Sequence, residues 1–170
     1  MTLLLDHQTT ESPDPRSPAL WTDETIVKSA LLGDMAVLES QLYRFPGALY
    51  GFPSASIFAL LPAERAGFYW LQSTELSALT FLLVDPFLFV EEYAVDMTER
   101  DLDMLQASDV SDVLVLSILT LPRNETDRPT LNLQGPIALD VRSGVGMQLA
   151  IESPFGLRHP VDLRAAVKVA

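Results

Sequence analysis

The chain has 170 residues, of which 48% are hydrophobic, and its formal net charge at pH 7 is −12. This length is typical of one domain with its own core, and the hydrophobic content excludes a chain that is disordered throughout. The excess of acidic residues repels phosphate groups and argues against direct nucleic-acid binding. Cysteine is absent, which excludes disulfides, thiolate nucleophiles and cysteine metal ligands.

The first 24 residues are predicted to form a flexible N-terminal tail. Residues 8–18 consist mostly of Thr, Ser, Pro and Asp and show no apolar periodicity. The leucines that follow Met1-Thr2 have no basic flank, so no secretory signal is predicted. The longest nearly unbroken apolar run, residues 113–121, has about half the length of a membrane helix. We therefore expect a soluble, cytoplasmic protein without a membrane segment.

The pattern after the tail predicts short β-strands. A tight hairpin is predicted first, with strands at residues 26–32 and 35–38, because Gly33 in the turn Gly33-Asp34 supplies the positive φ of a type II′ turn. Residues 143–146 are expected to form another hairpin turn, which joins the last two predicted strands. Proline is tolerated at the edge of a strand, where its missing N–H group costs the sheet little. Further strands are predicted at residues 56–61, 67–72, 79–84, 113–120, 137–141 and 147–152, with Pro62, Pro86, Pro122 and Pro136 at their edges.

One segment predicts a helix of two or three turns. Thr98 is a favourable N-cap, Glu99 and Asp101 place negative charge in the first turn, and Leu102 and Leu105 share an inward face. Apart from this helix, the spacing of roughly ten residues between short strands favours an antiparallel barrel or sandwich. The predicted fold class is mainly β: a compact antiparallel β-barrel or sandwich-like single domain with one or two short helices.

No catalytic or metal-binding constellation is visible in the sequence. The two histidines, His7 and His159, lack a second ligand at metal-binding spacing. Asp101 and Asp103 lie two positions apart on the predicted helix, where side chains do not share a face. Glycine-rich phosphate loops and nucleophile elbows are absent as well. We therefore expect a protein that is not an enzyme and has no cofactor or metal.

Acidic residues are concentrated in the middle of the chain. Residues 85–112, here called the acidic segment, contain nine acids against Arg100 alone. Two explanations stay open. The acidic segment attracts a basic protein partner, or it is a solvated face that keeps the protein soluble.

A set of short motifs, in order along the chain, resembles the FliW family of flagellar assembly factors. Individually each motif is weak, and their order and spacing make the resemblance specific over about residues 26–163. The chain is therefore predicted to have three segments: a tail at residues 1–24, a FliW-like β domain at 25–163 and an extension at 164–170. The motifs are Phe45-Pro46-Gly47 with Tyr50-Gly51-Phe52, Phe68-Tyr69-Trp70-Leu71-Gln72-Ser73, Val84-Asp85-Pro86-Phe87, Leu119-Thr120-Leu121-Pro122, Leu131-Asn132-Leu133-Gln134-Gly135-Pro136-Ile137 and Arg158-His159-Pro160.

The resemblance implies a compact barrel-like fold and a role in partner switching without catalysis. FliW proteins bind newly made flagellin in the cytoplasm and also bind CsrA, a basic RNA-binding repressor of flagellin translation. By this resemblance we expect flagellin and CsrA as partners of a protein that is a monomer. The alternative is a dedicated flagellin chaperone or structural module without CsrA regulation.

The candidate partner contacts combine exposed loops, strand ends and acidic side chains. Apolar side chains at loops would supply the anchor for affinity, and acidic side chains would steer a basic partner. For each candidate, an ordinary turn or core role is the alternative. The candidates are Phe45, Pro46, Gly51, Phe52, Gln72, Ser73, Asp85, Pro86, Phe87, Glu91, Glu92, Asp96, Asn132 and Pro136.

Overall fold

The computed structural model describes residues 23–165, which form short β-strands, one α-helix and three single-turn 3₁₀ helices. The 3₁₀ helices span Glu39–Gln41, Pro86–Leu88 and Val110–Asp112, and the α-helix α1 spans Glu99–Leu105. The strands are β1 (Glu24–Val27), β2 (Met35–Leu38), β3 (Leu42–Arg44), β4 (Ile57–Pro62), β5 (Phe68–Ser73), β6 (Thr80–Val84), β7 (Val113–Thr120), β8 (Thr130–Leu131), β9 (Ile137–Asp140), β10 (Val145–Gln148) and β11 (His159–Pro160).

Seven of these strands close into a β-barrel, which confirms the mainly β prediction. Their order is β7-β6-β5-β4-β3-β10-β9, and pairing of β9 with β7, for example Leu139 with Leu114, closes the ring. Closure leaves no unpaired edge within the ring itself. The strands pair antiparallel except β3 and β10, which run parallel where Arg44 lies opposite Val145. Strands β8 and β11 extend the sheet from the end of β7.

The core consists of a barrel interior and clusters outside the ring. Phe45, Phe58 and Leu71 lie inside, and the rings of Phe45 and Phe58 meet edge to face with centroids 5.2 Å apart. Phe68, from the opposite face of β5, packs into an outer cluster with Tyr93 and residues of the C-terminal segment. Both faces of β5 are therefore covered, which explains why its sequence is almost continuously apolar.

The first hairpin exists, but the prediction of a two-residue turn was wrong. β1 pairs antiparallel with β2, and Val27 opposite Met35 is the last pair before a seven-residue loop, residues 28–34. Ser29 explains the early end of β1, because its Oγ accepts the N–H groups of Leu31 (3.2 Å) and Leu32 (2.9 Å). Such side-chain bonds to the local backbone compete with strand pairing. Gly33, at φ 81°, has the positive φ that was predicted for it.

The turn before the last barrel strand is shifted relative to its prediction. β10 begins at Val145 and ends at Gln148, so residues 149–152 of the predicted strand lie outside it. The Asp140 carboxylate accepts the Ser143 N–H at 2.7 Å, and the Asp140 carbonyl accepts the Gly144 N–H at 3.0 Å. These bonds place the turn at residues 141–144, two residues earlier than predicted. Strands β3, β8 and β11 were not predicted, since two or three residues carry no detectable periodicity.

The predicted helix is confirmed at its predicted start. The Thr98 Oγ1 accepts the Asp101 N–H at 3.2 Å, and the Asp101 carboxylate accepts the Thr98 N–H at 2.9 Å, which is a reciprocal capping box. Leu105 is fully buried beside Leu149, whereas Leu102 is half-buried. Residues 1–22 of the predicted tail and residues 166–170 of the predicted extension lie outside the described residues, so the division into three segments stays a prediction.

Candidate protein-interaction surfaces

An open apolar groove brings together two of the sequence motifs. We call it the Phe52 groove; its volume is about 440 Å³. Its rim carries Tyr50, Phe52 and Leu157, whose side chains are 66%, 36% and 60% exposed. Exposed aromatic and aliphatic groups around a concavity are typical of binding surfaces. The groove is lined by Leu49, Tyr50, Phe52, Phe81, Ile118, Asn132, Gln134, Gly135, Gln148, Leu149, Ala150, Ile151 and Leu157.

Amide side chains hold the walls of the Phe52 groove in place. The Gln148 Oε1 accepts the Tyr50 N–H at 3.1 Å, and the Gln148 Nε2 donates to the Gly135 carbonyl at 3.0 Å. The Asn132 Oδ1 accepts the N–H groups of Gln134 (3.3 Å) and Gly135 (2.9 Å). Gln148 thus joins the loop before β4 to the turn before β9. The candidate Asn132 is half-buried and organises this turn, which is consistent with a local structural role.

Gln72 and Ser73 lie at the end of β5 and are fully buried. The Gln72 Nε2 donates to the Ser73 carbonyl at 2.9 Å and to the Leu76 carbonyl at 3.3 Å. The Ser73 Oγ accepts the N–H groups of Glu75 (3.2 Å) and Leu76 (3.0 Å). Both side chains are used in shaping the β5–β6 turn, and neither is available to a partner in this conformation. Their burial favours the alternative of a turn role, and their role as partner contacts stays a prediction.

The Asp85-Pro86-Phe87 motif caps a 3₁₀ helix. The Asp85 Oδ1 accepts the Phe87 N–H at 2.9 Å, and Pro86 is buried at the first helical position. Burial raises the pKa of Asp85, although the hydrogen bond from Phe87 opposes this shift. Phe87 is 45% exposed and packs partly against Tyr93. Of the three, Phe87 offers the apolar surface that a partner could contact.

The acidic segment lies across the outside of the barrel, between β6 and β7. Val90, Tyr93 and Leu105 are buried and anchor it. Four acids have local roles: Asp85, Asp101 and Asp109 cap helices, and Asp112 lies 2.9 Å from the Arg142 guanidinium. The other five side chains are exposed to solvent: Glu91, Glu92, Asp96, Glu99 and Asp103. The predicted acidic candidates are thus on the surface, and Glu99 and Asp103 join them.

The remaining candidates divide between core and surface. Phe45 (1% exposed) and Pro136 are buried, whereas Pro46 and Gly51 are exposed. Because Phe45 and Pro136 are buried, the alternative of a structural role in the core is favoured for these two residues. Sequence reasoning missed Gln148 and Leu157 of the Phe52 groove. For Gln148, the only hint in the sequence was a polar residue at the end of the β10 segment. For Leu157, no sequence pattern indicated a place in a groove.

A second groove lies on another part of the barrel exterior. We call it the Val141 groove; its volume is about 580 Å³. Its most exposed apolar side chains are Leu38, Ile57 and Val141, at 40%, 38% and 55% exposure. The groove is lined by Leu38, Glu39, Ser40, Leu42, Tyr43, Arg44, Ile57, Val141, Arg142, Ser143 and Gly144.

Within residues 23–165, the structure shows no group of three or more His, Asp or Glu side chains that could hold a metal ion. In the same part of the chain, no helix is long and apolar enough to cross a bilayer. In the described part of the chain, the fold is a small closed β-barrel with one α-helix, and the Phe52 groove, the Val141 groove and the acidic segment lie on its exterior.

Comparison with known proteins assigns this barrel to a family. The FliW protein family pattern matches residues 26–161. A solved structure described as the flagellar assembly factor FliW superposes with a TM-score of 0.73 at 31% identity, covering 80% of this chain and 96% of the other. The chain belongs to the FliW family.

Curated relatives named flagellar assembly factor FliW agree with this assignment. The relative from Moorella thermoacetica is 36% identical over 78% of this chain and 85% of its own length. The relative from Leptospira interrogans serovar copenhageni is 32% identical over 84% of this chain and 97% of its own length. This confirms the resemblance on which the sequence analysis relied, and it makes the chain a flagellar assembly factor.

Proposed function

We propose that this chain is a cytoplasmic regulator of flagellar assembly that binds flagellin and antagonises the repressor CsrA by switching between the two partners. Membership of the FliW family supports the proposal. The observation that carries it is the presence of two chemically different surfaces: the apolar Phe52 groove and the exposed acids of the acidic segment. An apolar groove provides affinity, and exposed acids speed the approach of a basic protein.

The Phe52 groove is proposed as the flagellin surface. Tyr50 and Leu157 are its most exposed large side chains, and an exposed aromatic beside a concavity is a common binding hot spot. We expect Tyr50→Ser to weaken flagellin binding by about 2 kcal/mol, because truncating a hot-spot aromatic typically costs this much. The hydrogen bond to the Gln148 Oε1 is donated by the Tyr50 backbone N–H, so the variant retains it.

Leu121→Ser is the matched control for Tyr50→Ser, because Leu121 is 53% exposed and does not line the groove. Isothermal titration with purified flagellin measures both variants. Equal affinity of Tyr50→Ser and the unaltered protein would remove the groove from the proposal.

The acidic segment is proposed as the surface that attracts CsrA. Glu91, Glu92 and Asp96 are exposed, and attraction between opposite charges raises the association rate. We expect the combined substitution of all three by lysine to slow association roughly ten-fold or more at low ionic strength and to flatten its salt dependence. Stopped-flow measurements over a range of salt concentrations test this.

The matched control for the charge reversal is Glu125→Lys, an exposed acid outside the acidic segment with Arg123 and Arg128 nearby in sequence. If the triple variant associates as fast as the control at every salt concentration, the steering role is excluded.

A competition experiment separates partner switching from the alternative of a flagellin chaperone. Immobilised protein is incubated with flagellin, with CsrA, and with both. Partner switching requires that each partner binds alone and that flagellin displaces CsrA. Binding of flagellin alone would favour the chaperone, and binding of neither would contradict both functions.

A further inference from the structure

The floor of the Phe52 groove consists of side chains from the barrel interior. Leu49 is 3% exposed and belongs to the interior core, and Phe81 and Ile118 pack against that core. The ring of Phe52 meets the Phe81 ring edge to face, with centroids 5.2 Å apart. A side chain that enters the groove therefore contacts side chains of the barrel core. The mouths of β-barrels are frequent ligand sites for this reason.

The Phe52 groove has no charged residue among the described residues that line it. By contrast, charged residues make up 20% of the chain, and the Val141 groove contains Glu39, Arg44 and Arg142. A charged group that entered the Phe52 groove would lose its hydration without meeting an opposite charge. The groove therefore favours an occupant that is uncharged where it enters.

One wall of the Phe52 groove is a continuation of strand β10. The Leu149 N–H donates to the Pro136 carbonyl at 2.9 Å, and the Ile151 N–H donates to the Gln134 carbonyl at 3.0 Å. Successive residues of an antiparallel ladder direct their backbone groups to opposite sides. The N–H and C=O of Ala150 are therefore directed away from Pro136 and Gln134.

The backbone of Ala150 forms an open strand edge. It is directed to the side of β3, because Gly144, an even number of positions earlier, accepts the Arg44 N–H at 2.8 Å. β3 ends at Arg44, opposite Val145, and does not extend to Ala150. Within the described part of the chain, Ala150 makes no backbone hydrogen bond, and it is exposed to solvent. Unpaired backbone groups at a sheet edge are a template for an added strand.

We propose that the Phe52 groove binds an extended, uncharged segment of its partner. The segment pairs with the Ala150 backbone as an added strand and places an apolar side chain against Phe81 and Ile118. A helical segment would satisfy its backbone groups internally and leave those of Ala150 unpaired, so the open edge favours an extended occupant. This inference rests on the proposed function, in which the partner at this groove is flagellin.

Flagellin peptides test the extended geometry. Overlapping synthetic peptides that cover the flagellin sequence are titrated against the full chain by fluorescence anisotropy, and the tightest binder is then N-methylated at one backbone position at a time. Pairing with a strand edge predicts a roughly five-fold or greater loss of affinity at a single position or at alternate positions, because only these N–H groups face the edge.

The possible outcomes of the peptide experiment separate this inference from the proposed function. Losses at consecutive positions would overturn the extended geometry, and charged side chains at or between the sensitive positions would overturn the uncharged class. Binding of whole flagellin without binding of any peptide would also overturn the inference and leave the proposed function intact. Binding of neither would contradict the proposed function and, with it, this inference.

A charge introduced into the Phe52 groove tests the uncharged class with whole flagellin. Gln134→Glu replaces an amide in the groove lining by a carboxylate of the same shape and should weaken binding roughly ten-fold or more, because the carboxylate would be desolvated against an uncharged segment. Gln134→Met keeps the length without the charge and should bind more tightly than Gln134→Glu. Gln106→Glu makes the same change at an exposed position outside the groove and should leave the affinity unaltered. Equal affinities of Gln134→Glu and Gln106→Glu would overturn the inference.

Amide hydrogen exchange, followed by NMR, locates the added strand on the unaltered protein. The Ala150 amide should exchange rapidly in the free protein and roughly ten-fold or more slowly in the complex with flagellin, since pairing protects an exposed N–H. The amide of Leu121, which lies outside the groove, should exchange equally in both states. Flagellin that binds without protecting Ala150 would overturn strand addition at this edge.

Discussion

Gly146 lies in β10 where the strand passes directly over two buried side chains. A Cβ atom added at this position would lie 2.6 Å from the Phe45 Cζ and 2.7 Å from the Leu139 Cδ2. Neither contact can be relieved without moving core side chains, because both residues are fully buried. The glycine is therefore required for close packing and not for an unusual φ.

We expect Gly146→Ala to lower the free energy of unfolding by about 1–3 kcal/mol, the usual cost of overpacking a core. Equilibrium urea denaturation measures this loss. Gly47→Ala is the control, because a Cβ there would have no atom within 4 Å. Similar losses for both variants would show that the tight contact at Gly146 is relieved without cost.

Tyr93 connects pH to stability. Its side chain is 4% exposed and donates a hydrogen bond to the Leu133 carbonyl at 3.0 Å. Burial raises the pKa of Tyr93 from 10.0 to about 12. The unfolded chain loses this proton at lower pH than the folded chain. The contribution of the protonated Tyr93 to stability is therefore complete below the pKa that Tyr93 has in the unfolded chain. It is lost as the pH rises through the pKa that Tyr93 has in the folded chain.

We expect Tyr93→Phe to reduce the loss of stability between neutral and strongly alkaline pH, as followed by urea denaturation midpoints. Part of the loss should remain, because burial also raises the pKa of Tyr43. Tyr50→Phe, at an exposed position, should leave the alkaline loss as it is in the unaltered protein. An identical pH profile for Tyr93→Phe would contradict the role of this side chain.

Single residues also show how far the candidate site could be predicted. The exposure of Glu91 and Glu92 followed from their charge, since unpaired carboxylates are rarely buried. The burial of Gln72 did not, because an amide at a strand end can face solvent or satisfy a buried turn equally well. The partners of Gln72 are the Ser73, Leu76 and Ser77 carbonyls and the Thr80 hydroxyl, which are brought to it by the turn and by β6.

At the scale of elements, α1 is held to the barrel by one buried side chain and one hydrogen bond. Leu105 is fully buried among Ala138, Leu149 and neighbouring side chains. The Ser143 Oγ donates to the Leu105 carbonyl at 2.8 Å, which satisfies a carbonyl at the C-terminal end of the helix. Docking of this short helix therefore depends on its last turn.

Leu105→Ala should destabilise the protein by about 2–5 kcal/mol, as is usual for deleting a buried leucine side chain. The neighbouring Met104 is 48% exposed, and Met104→Ala should change stability by about 0.5 kcal/mol or less. Thermal and urea unfolding of both variants measure the difference. A loss for Leu105→Ala as small as that for Met104→Ala would mean that α1 contributes little to the fold.

The elements that local signals specify were predicted, and those that depend on remote contacts were not. Thr98 and Asp101 determine the start of α1 through bonds within one turn. β3 has three residues and exists because Leu42 pairs with Ala59 and Arg44 with both Ile57 and Val145. These partners are distant from β3 in the sequence, so no local pattern predicts this strand.

At the scale of the whole molecule, the excess of negative charge opposes the compact state. The net charge is −12, and nine acids lie in the acidic segment against one base. Five of these acids are exposed, so dissolved ions reduce their mutual repulsion. Stability should therefore depend on ionic strength.

We expect added sodium chloride to raise the urea midpoint, because screening reduces this repulsion. The combined substitution of Glu91, Glu92 and Asp96 by lysine should raise the midpoint at low salt and make it less sensitive to salt. Glu125→Lys, next to basic residues outside the acidic segment, is the control and should have a smaller effect. A triple variant with the same salt sensitivity as the unaltered protein would contradict repulsion within the segment.

The sequence by itself determined the mainly β class, the capped helix, the acidic segment and the family, because these depend on local propensity, charge and ordered motifs. Only the tertiary structure decided that the sheet closes through β7 and β9, that Gln72 and Ser73 are buried at the β5–β6 turn, and that Tyr50 and Gln148 meet in one groove. The physical reason is sequence separation. Tyr50 and Gln148 lie 98 positions apart, and a contact over that distance exists only once the barrel has closed around its core.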